Sequence, residues 1–179
     1  AEIPSVVDEG SVILSEENFP DVYFRQYLHR YADTNHDCIL SKEERNAVTR
    51  IRDRYIDYTK TTGWHDANAD LEIEEERMYQ CVSSISNLQG IEYFPNLYEL
   101  MLWHFRPQEE ISELVFTNPN LEILHLSFKA PMGKVDLSAC EKLRICVIGG
   151  VEDSELTILT PKHLVVEPWE GWDCAIGEE

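Results

Sequence analysis

Residues 33 to 44, Asp-Thr-Asn-His-Asp-Cys-Ile-Leu-Ser-Lys-Glu-Glu, place side-chain oxygens at positions one, three, five, nine and twelve of a twelve-residue run. A calcium ion takes six to eight oxygens, and a loop of this length can wrap one. It supplies side chains at one, three and five, a backbone carbonyl at seven, a polar or water-mediated contact at nine and a bidentate glutamate at twelve. The ligands would be Asp33, Asn35, Asp37, the Ile39 carbonyl, Ser41 and Glu44, with Leu40 anchoring the loop to a neighbour.

Position six of such a loop is normally glycine, and here it is Cys38. The turn there calls for a positive φ, which costs a residue with a Cβ about 1–2 kcal/mol. The expectation is a working but weakened site, nearer the weak extracellular modules than the tight buffers. The same residues also fit a plain helix start, because Ser41-Lys-Glu-Glu44 is a capping box with Glu44 at N3. A second acidic run, Asp66-Ala-Asn-Ala-Asp-Leu-Glu-Ile-Glu-Glu-Glu-Arg, repeats the Asp-x-Asn-x-Asp pattern further along the chain. Its ligands would be Asp66, Asn68, Asp70, Glu72 and Glu76, but Arg77 stands where the bidentate glutamate belongs. The alternative is a degenerate partner loop whose Ile73 pairs with Leu40.

Helices must hold these loops. Phe24, Tyr27, Leu28 and Tyr31 recur at helical spacing before the first loop, Ala47, Val48, Ile51 and Tyr55 between the two, and Met78, Val82 and Ile85 after the second. Asn18 or Asp21 is placed to cap the first helix, with Pro20 near its start. Residues 1–16 read as an extended lead-in and 17–86 as one helical domain.

From about residue 87 the pattern changes. Leu97-x-x-Leu100-x-Leu102, Leu121-x-x-Leu124-x-Leu126 and Leu143-x-x-Cys146-x-Ile148 share one template and start at near-equal intervals. That is the strand signature and period of a leucine-rich repeat, which ordinary sandwich strands would not reproduce in three registers. A fourth, irregular strand is expected at residues 164–166, ahead of a tail that caps the last repeat. The leucines point inward, and the residues between them line a parallel sheet on the other face. Those rows are Glu99, Ile123 and Ile145, then Met101, His125 and Val147, then Trp103 and Ser127. They are apolar enough either to bind a partner or to be covered by the chain's own helical half.

Composition narrows the partners. With 34 acidic against 15 basic residues the net charge is −19, so nucleic acid and anionic membrane are poor partners and cations good ones. No apolar run approaches the ~20 residues that span a bilayer. The five cysteines form no Cys-x-x-Cys and read most simply as buried thiols, while the six histidines read as singles at no metal-ligand spacing from one another.

Asn18-Phe-Pro-Asp-x-x-Phe-Arg-x-Tyr27, the Asp-x-Asn-x-Asp loop with Leu-Ser-x-Glu-Glu behind it, Leu88-x-Gly-Ile-Glu-Tyr-Phe-x-Asn-Leu97 and Val135-Asp-Leu-Ser-Ala-Cys-Glu-Lys-Leu143 together resemble secreted or surface-attached bacterial leucine-rich-repeat proteins. The resemblance implies an α+β chain: an EF-hand-like helical region, then a short leucine-rich-repeat solenoid with a parallel sheet over residues 87–179. It also implies an extracellular or cell-surface module, its signal peptide already removed, that binds Ca²⁺ and meets a protein or glycan on the repeat face. Two further readings stay open. One is a calcium-responsive switch that opens an apolar groove. The other is an enzyme with an unrecognised carboxylate site, although no nucleophile elbow, phosphate loop or His-Glu-x-x-His assigns a reaction, so a non-enzyme is expected.

Overall fold

A computed structural model describes residues 8–53, 73–149, 155–169 and 172–177. It mixes helices with three sheets, two of them containing parallel strands. The chain enters through a two-residue strand β1 (Val12–Ile13) and then helix α1 (Val22–Tyr31). Asp21 caps α1: its Oδ1 accepts the Phe24 N–H at 2.9 Å, as an N-cap side chain should. Its other oxygen accepts the Ser86 N–H at 2.8 Å, the Ser86 hydroxyl at 2.9 Å and the Asn87 N–H at 3.2 Å. One buried carboxylate thus starts the helix and fastens it to a distant segment of the chain. The 24, 27, 28 stripe is buried, and Phe19 meets Phe24 edge-to-face at 5.6 Å.

After the acidic loop come β2 (Ile39–Leu40), which pairs antiparallel with β1, and helix α2 (Lys42–Ala47). The helix expected to run on through Tyr55 stops at Ala47. Instead β3 (Arg50–Arg52) pairs in parallel with β4 (Glu99–Phe105), Ile51 facing Leu100. The β-branched Val48, Thr49 and Ile51 favour extended chain, and Ile51 becomes fully buried. Helix α3 (Ile73–Ser83) packs against α1, β3 and β4.

A 3₁₀ turn at Ile91–Tyr93 leads into the strands. It begins at Gly90, whose φ of +98° lies in the left-handed region, and a Cβ there would collide with the Phe19 ring and sit 2.8 Å from the Asn18 carbonyl. Only glycine avoids both problems.

Strands β4, β6 (Ile123–Phe128) and β8 (Ile145–Gly149) lie parallel and in register. Leu100, Leu124 and Cys146 align, as do Leu102, Leu126 and Ile148, and all six are at most 1% exposed. Each of these strands is followed by a short one, β5 (Glu113–Val115), β7 (Lys134–Asp136) and β9 (Thr157–Leu159). These form a second parallel sheet in which Leu114, Val135 and Ile158 align. The space between the two sheets is filled by the core leucines and by Phe105, Phe116 and Phe128. Side chains also tie one chain turn to the previous one: buried Asn118 donates from Nδ2 to the Ile91 carbonyl at 2.8 Å and the Phe94 carbonyl at 3.1 Å. Asn120 does the same to Pro95 at 2.8 Å.

The expected fourth parallel strand takes another form. β10 (Leu164–Trp169) exists, but it pairs antiparallel with β11 (Trp172–Gly177), and β11 is the one that lies beside β8, also antiparallel. The six-stranded order is therefore β10-β11-β8-β6-β4-β3. Among the described residues no helix is long and apolar enough to cross a membrane.

Candidate metal centre

Asp33 sits where α1 ends, its N–H still bonded to the Leu28 carbonyl at 2.8 Å. The chain then turns through two left-handed residues, His36 (φ 57°) and Cys38 (φ 65°). The positive φ expected at position six is present, and a non-glycine bears it. This winding brings successive backbone N–H groups onto the acidic side chains. Asp33 Oδ1 accepts from Asp37 N at 3.3 Å and Oδ2 from Cys38 N at 3.0 Å. Asn35 Oδ1 accepts from Asp37 N at 3.1 Å, and Asp37 Oδ1 from Ile39 N at 2.8 Å. Asn35 Nδ2 donates to Asp37 Oδ2 at 3.0 Å. The side chains at positions one, three and five are thereby gathered and oriented by backbone donors, and Asp33 Oδ1 and Asp37 Oδ1, with one such bond each, keep a second lone pair.

Glu44 is arranged differently. Its Oε1 accepts the Thr34 N–H at 2.7 Å and the Thr34 hydroxyl at 2.6 Å, while Oε2 accepts the Ser41 N–H and hydroxyl, both at 2.9 Å. Ser41 Oγ accepts the Glu44 N–H in return at 3.2 Å, completing the capping box. Burial pushes the Glu44 carboxyl toward its neutral form, but the bonds from Thr34 and Ser41 outweigh it and bring the pKa down to about 2. Glu44 therefore joins position two of the loop to position nine, all four of its lone-pair directions occupied. For the carboxylate to chelate a cation it must exchange some of these donors for the ion.

Ile39 lies in β2, and Leu40 is fully buried. Leu40 pairs with Val12, so β1 provides a strand that braces the loop; Ile73 opens α3, and the side chain suggested to meet Leu40 lies outside the described residues. Of the second set, Asp66, Asn68, Asp70 and Glu72 lie outside the described residues. Glu76 is on an exposed face of α3, its Oε1 3.5 Å from Gln80 Nε2.

The histidines do not all stand alone. His29 Nδ1 is 2.8 Å from Asp33 Oδ2, His36 Nδ1 is 3.1 Å from the His29 carbonyl, and the two rings meet edge-to-face at 5.3 Å. Their separation along the chain concealed this, because the left-handed turn at His36 folds its ring back over α1.

The rows between the leucines align as expected: Glu99 with Ile123 and Ile145, Met101 with His125 and Val147. A bulge after Leu102 breaks the register before Trp103. Six of the eight residues are buried, Glu99, Met101, Ile123, His125, Ser127 and Val147, while Trp103 and Ile145 keep partial exposure. Most of this face is therefore closed to solvent. Trp103 stacks on His125 with centroids 4.3 Å apart, and Arg50 Nε stands 3.3 Å from the Glu99 carboxylate. Cys38, Cys81 and Cys140 are thiols, and burial pushes the Cys140 thiol up to about 11.

Comparison of the chain with protein-family models, with curated proteins and with solved structures finds no match. The functional reading therefore rests on the residues themselves.

Proposed function

We propose that this protein is a secreted or cell-surface interaction module of leucine-rich-repeat type, built on a calcium-binding, EF-hand-like loop at residues 33–44. The observation that carries the calcium reading is the loop winding, which gathers Asp33, Asn35 and Asp37 around backbone donors that hold them in place. Hard oxygen donors at this spacing suit Ca²⁺. The strain at Cys38 and the donors held by Glu44 both weaken the site, which fits an extracellular setting where calcium is abundant. Parallel strands that recur in register in two sheets, β4, β6 and β8 in one and β5, β7 and β9 in the other, support the solenoid reading. In this reading calcium rigidifies the helical region, which in turn braces the repeats. The partner, a protein or glycan, meets the rim of the large sheet, where Trp103 and Ile145 stay partly exposed.

The test is calorimetric titration of chelator-stripped protein with Ca²⁺ and with Mg²⁺, alongside thermal melts. Asp37 is exposed, so Asp37→Ala spares the core. One saturable calcium site, lost in Asp37→Ala and weak for Mg²⁺, is the expected result. Calcium at 100-fold excess over Kd stabilises the folded chain by about 2.7 kcal/mol, a plain rise in melting temperature. No heat and no shift at millimolar calcium would refute the metal reading.

A further inference from the structure

The nitrogen and sulfur groups around Asp33 are not used by a calcium ion, which prefers oxygen. We infer that His29, Asp33 and His36, with Cys38 as a fourth donor, form a second metal site, one for a borderline divalent ion such as Zn²⁺. One ligand atom from each of His29, Asp33 and His36 lies within 4.8 Å of the others. Cys38 Sγ is 4.0 Å from His29 Nδ1. Two imidazoles, a carboxylate and a thiolate are the donors that zinc takes in tetrahedral sites, whereas calcium takes neither nitrogen nor sulfur readily.

The surroundings are those of a ligand set. The His36 Nδ1–H donates to the His29 carbonyl, since a carbonyl can only accept, and this leaves Nε2 with its lone pair. A backbone acceptor on the far nitrogen is the usual way a metal-binding imidazole is oriented. Asp33 Oδ2 is held by the Cys38 N–H, so the carboxylate is fixed before any ion arrives. A zinc ion between His29 Nδ1 and Asp33 Oδ2 takes the place of the proton they now share, the ring adopting its Nε2–H form. The thiol joins by releasing its proton to solvent. Zinc–ligand bonds of about 2.0–2.3 Å put tetrahedral ligands about 3.3–3.7 Å apart, so His29 Nδ1 and Asp33 Oδ2 must open from 2.8 Å while the wider separations, within 4.8 Å, close. Both histidines are exposed enough to move, His29 with 47% of its side chain in solvent.

Asp33 belongs to both sites, and it cannot give its full set of lone pairs to two cations at once. Zinc and calcium therefore compete at the end of α1, with zinc fixing the helix terminus and calcium the loop. This competition is absent if either site is absent, while each site on its own is testable alone.

The full chain, stripped with chelator, is titrated with Zn²⁺ by calorimetry and with Co²⁺ by absorption. Wild type should bind one equivalent of zinc. The cobalt form should show the intense visible bands of a tetrahedral ion and a thiolate charge-transfer band that Cys38→Ser removes. His29→Ala and His36→Ala should each weaken zinc at least about tenfold, with the metal-free protein still melting cooperatively, and Asp37→Ala should keep its zinc. Calcium uptake should survive His36→Ala, so failure of one site is read separately from failure of the other. One equivalent of zinc still bound by a His29→Ala/His36→Ala double variant would overturn the assignment, as would the absence of stoichiometric zinc or cobalt binding in wild type.

Discussion

Glu44 offers a quantitative test of how the loop is held. Burial opposes its charge, yet four donors from Thr34 and Ser41 overcome that cost and bring its ordinary pKa of 4.5 down to about 2. A folded-state pKa below the unfolded one means that the carboxylate stabilises the fold at neutral pH, and that this contribution is lost as pH falls through the folded value. At about 1.4 kcal/mol per unit, the shift sets a ceiling of about 3 kcal/mol. The site is shallow, and solvent screening lowers the expected figure to about 2 kcal/mol. Glu44→Gln keeps the shape and one acceptor while removing the charge. Urea unfolding of both proteins, in chelator, should give a stability gap of about 2 kcal/mol that is constant above pH 6. The gap should narrow between about pH 5 and pH 2 and close at the lower end. Taking the difference cancels every other titrating group. A gap that stays level from pH 7 to pH 2.5 would show that the charge of Glu44 is not what the donors hold, and would refute the reasoning.

Two further substitutions probe the frame around the loop. Gly90→Ala puts a Cβ against Phe19 and forces alanine into the left-handed region, so chemical denaturation should register a loss of at least about 3 kcal/mol. Asp21→Ala removes the cap of α1 and leaves the N–H groups of Phe24, Ser86 and Asn87 without their acceptor. The expected loss is about 3 kcal/mol, and protease digestion should cut first near residue 86, where α1 would have come loose.

The register of the large sheet is legible because its inward residues repeat without interruption: a strand with Leu100 and Leu102 inside must align with others that carry Leu124 and Leu126, or Cys146 and Ile148, at the same places. β3 reads as helix in the sequence because Ala47, Val48 and Ile51 recur at helical spacing; the β-branched Val48, Thr49 and Ile51 favour extended chain, and pairing with β4 decides between the two. The small sheet leaves almost no mark on the sequence, since each of its strands has three residues and a single core side chain, Leu114, Val135 or Ile158. Both roles of Glu44 can be read from Ser41-Lys-Glu-Glu44, but only three-dimensional geometry adds Thr34 as the second anchor. The pairing of His29 with His36 depends on one backbone angle at residue 36, which composition does not encode for a histidine. Alternation identifies the rows facing away from the leucines, yet nothing in a period of two says whether such a face is wet or covered. Gly90 stands out within Gly-Ile-Glu-Tyr-Phe, and its close approach to Phe19 supplies the physical reason.

Parallel strands stacked at a regular interval present, at each end, a ladder onto which another copy could dock. Among the described residues, both ends of the large sheet are finished in ways that discourage that. At one end β3 is three residues long and sets Arg50 and Arg52 either side of Ile51, and a short, charged edge is a poor template. At the other, the strand direction reverses in β11, and the outermost strand β10 carries Pro168, which has no N–H to offer. Among the described residues, neither edge is a ready template for a further strand. At concentrations where an open-ended stack would grow into filaments, this one should remain a discrete particle, its size set by its two ends.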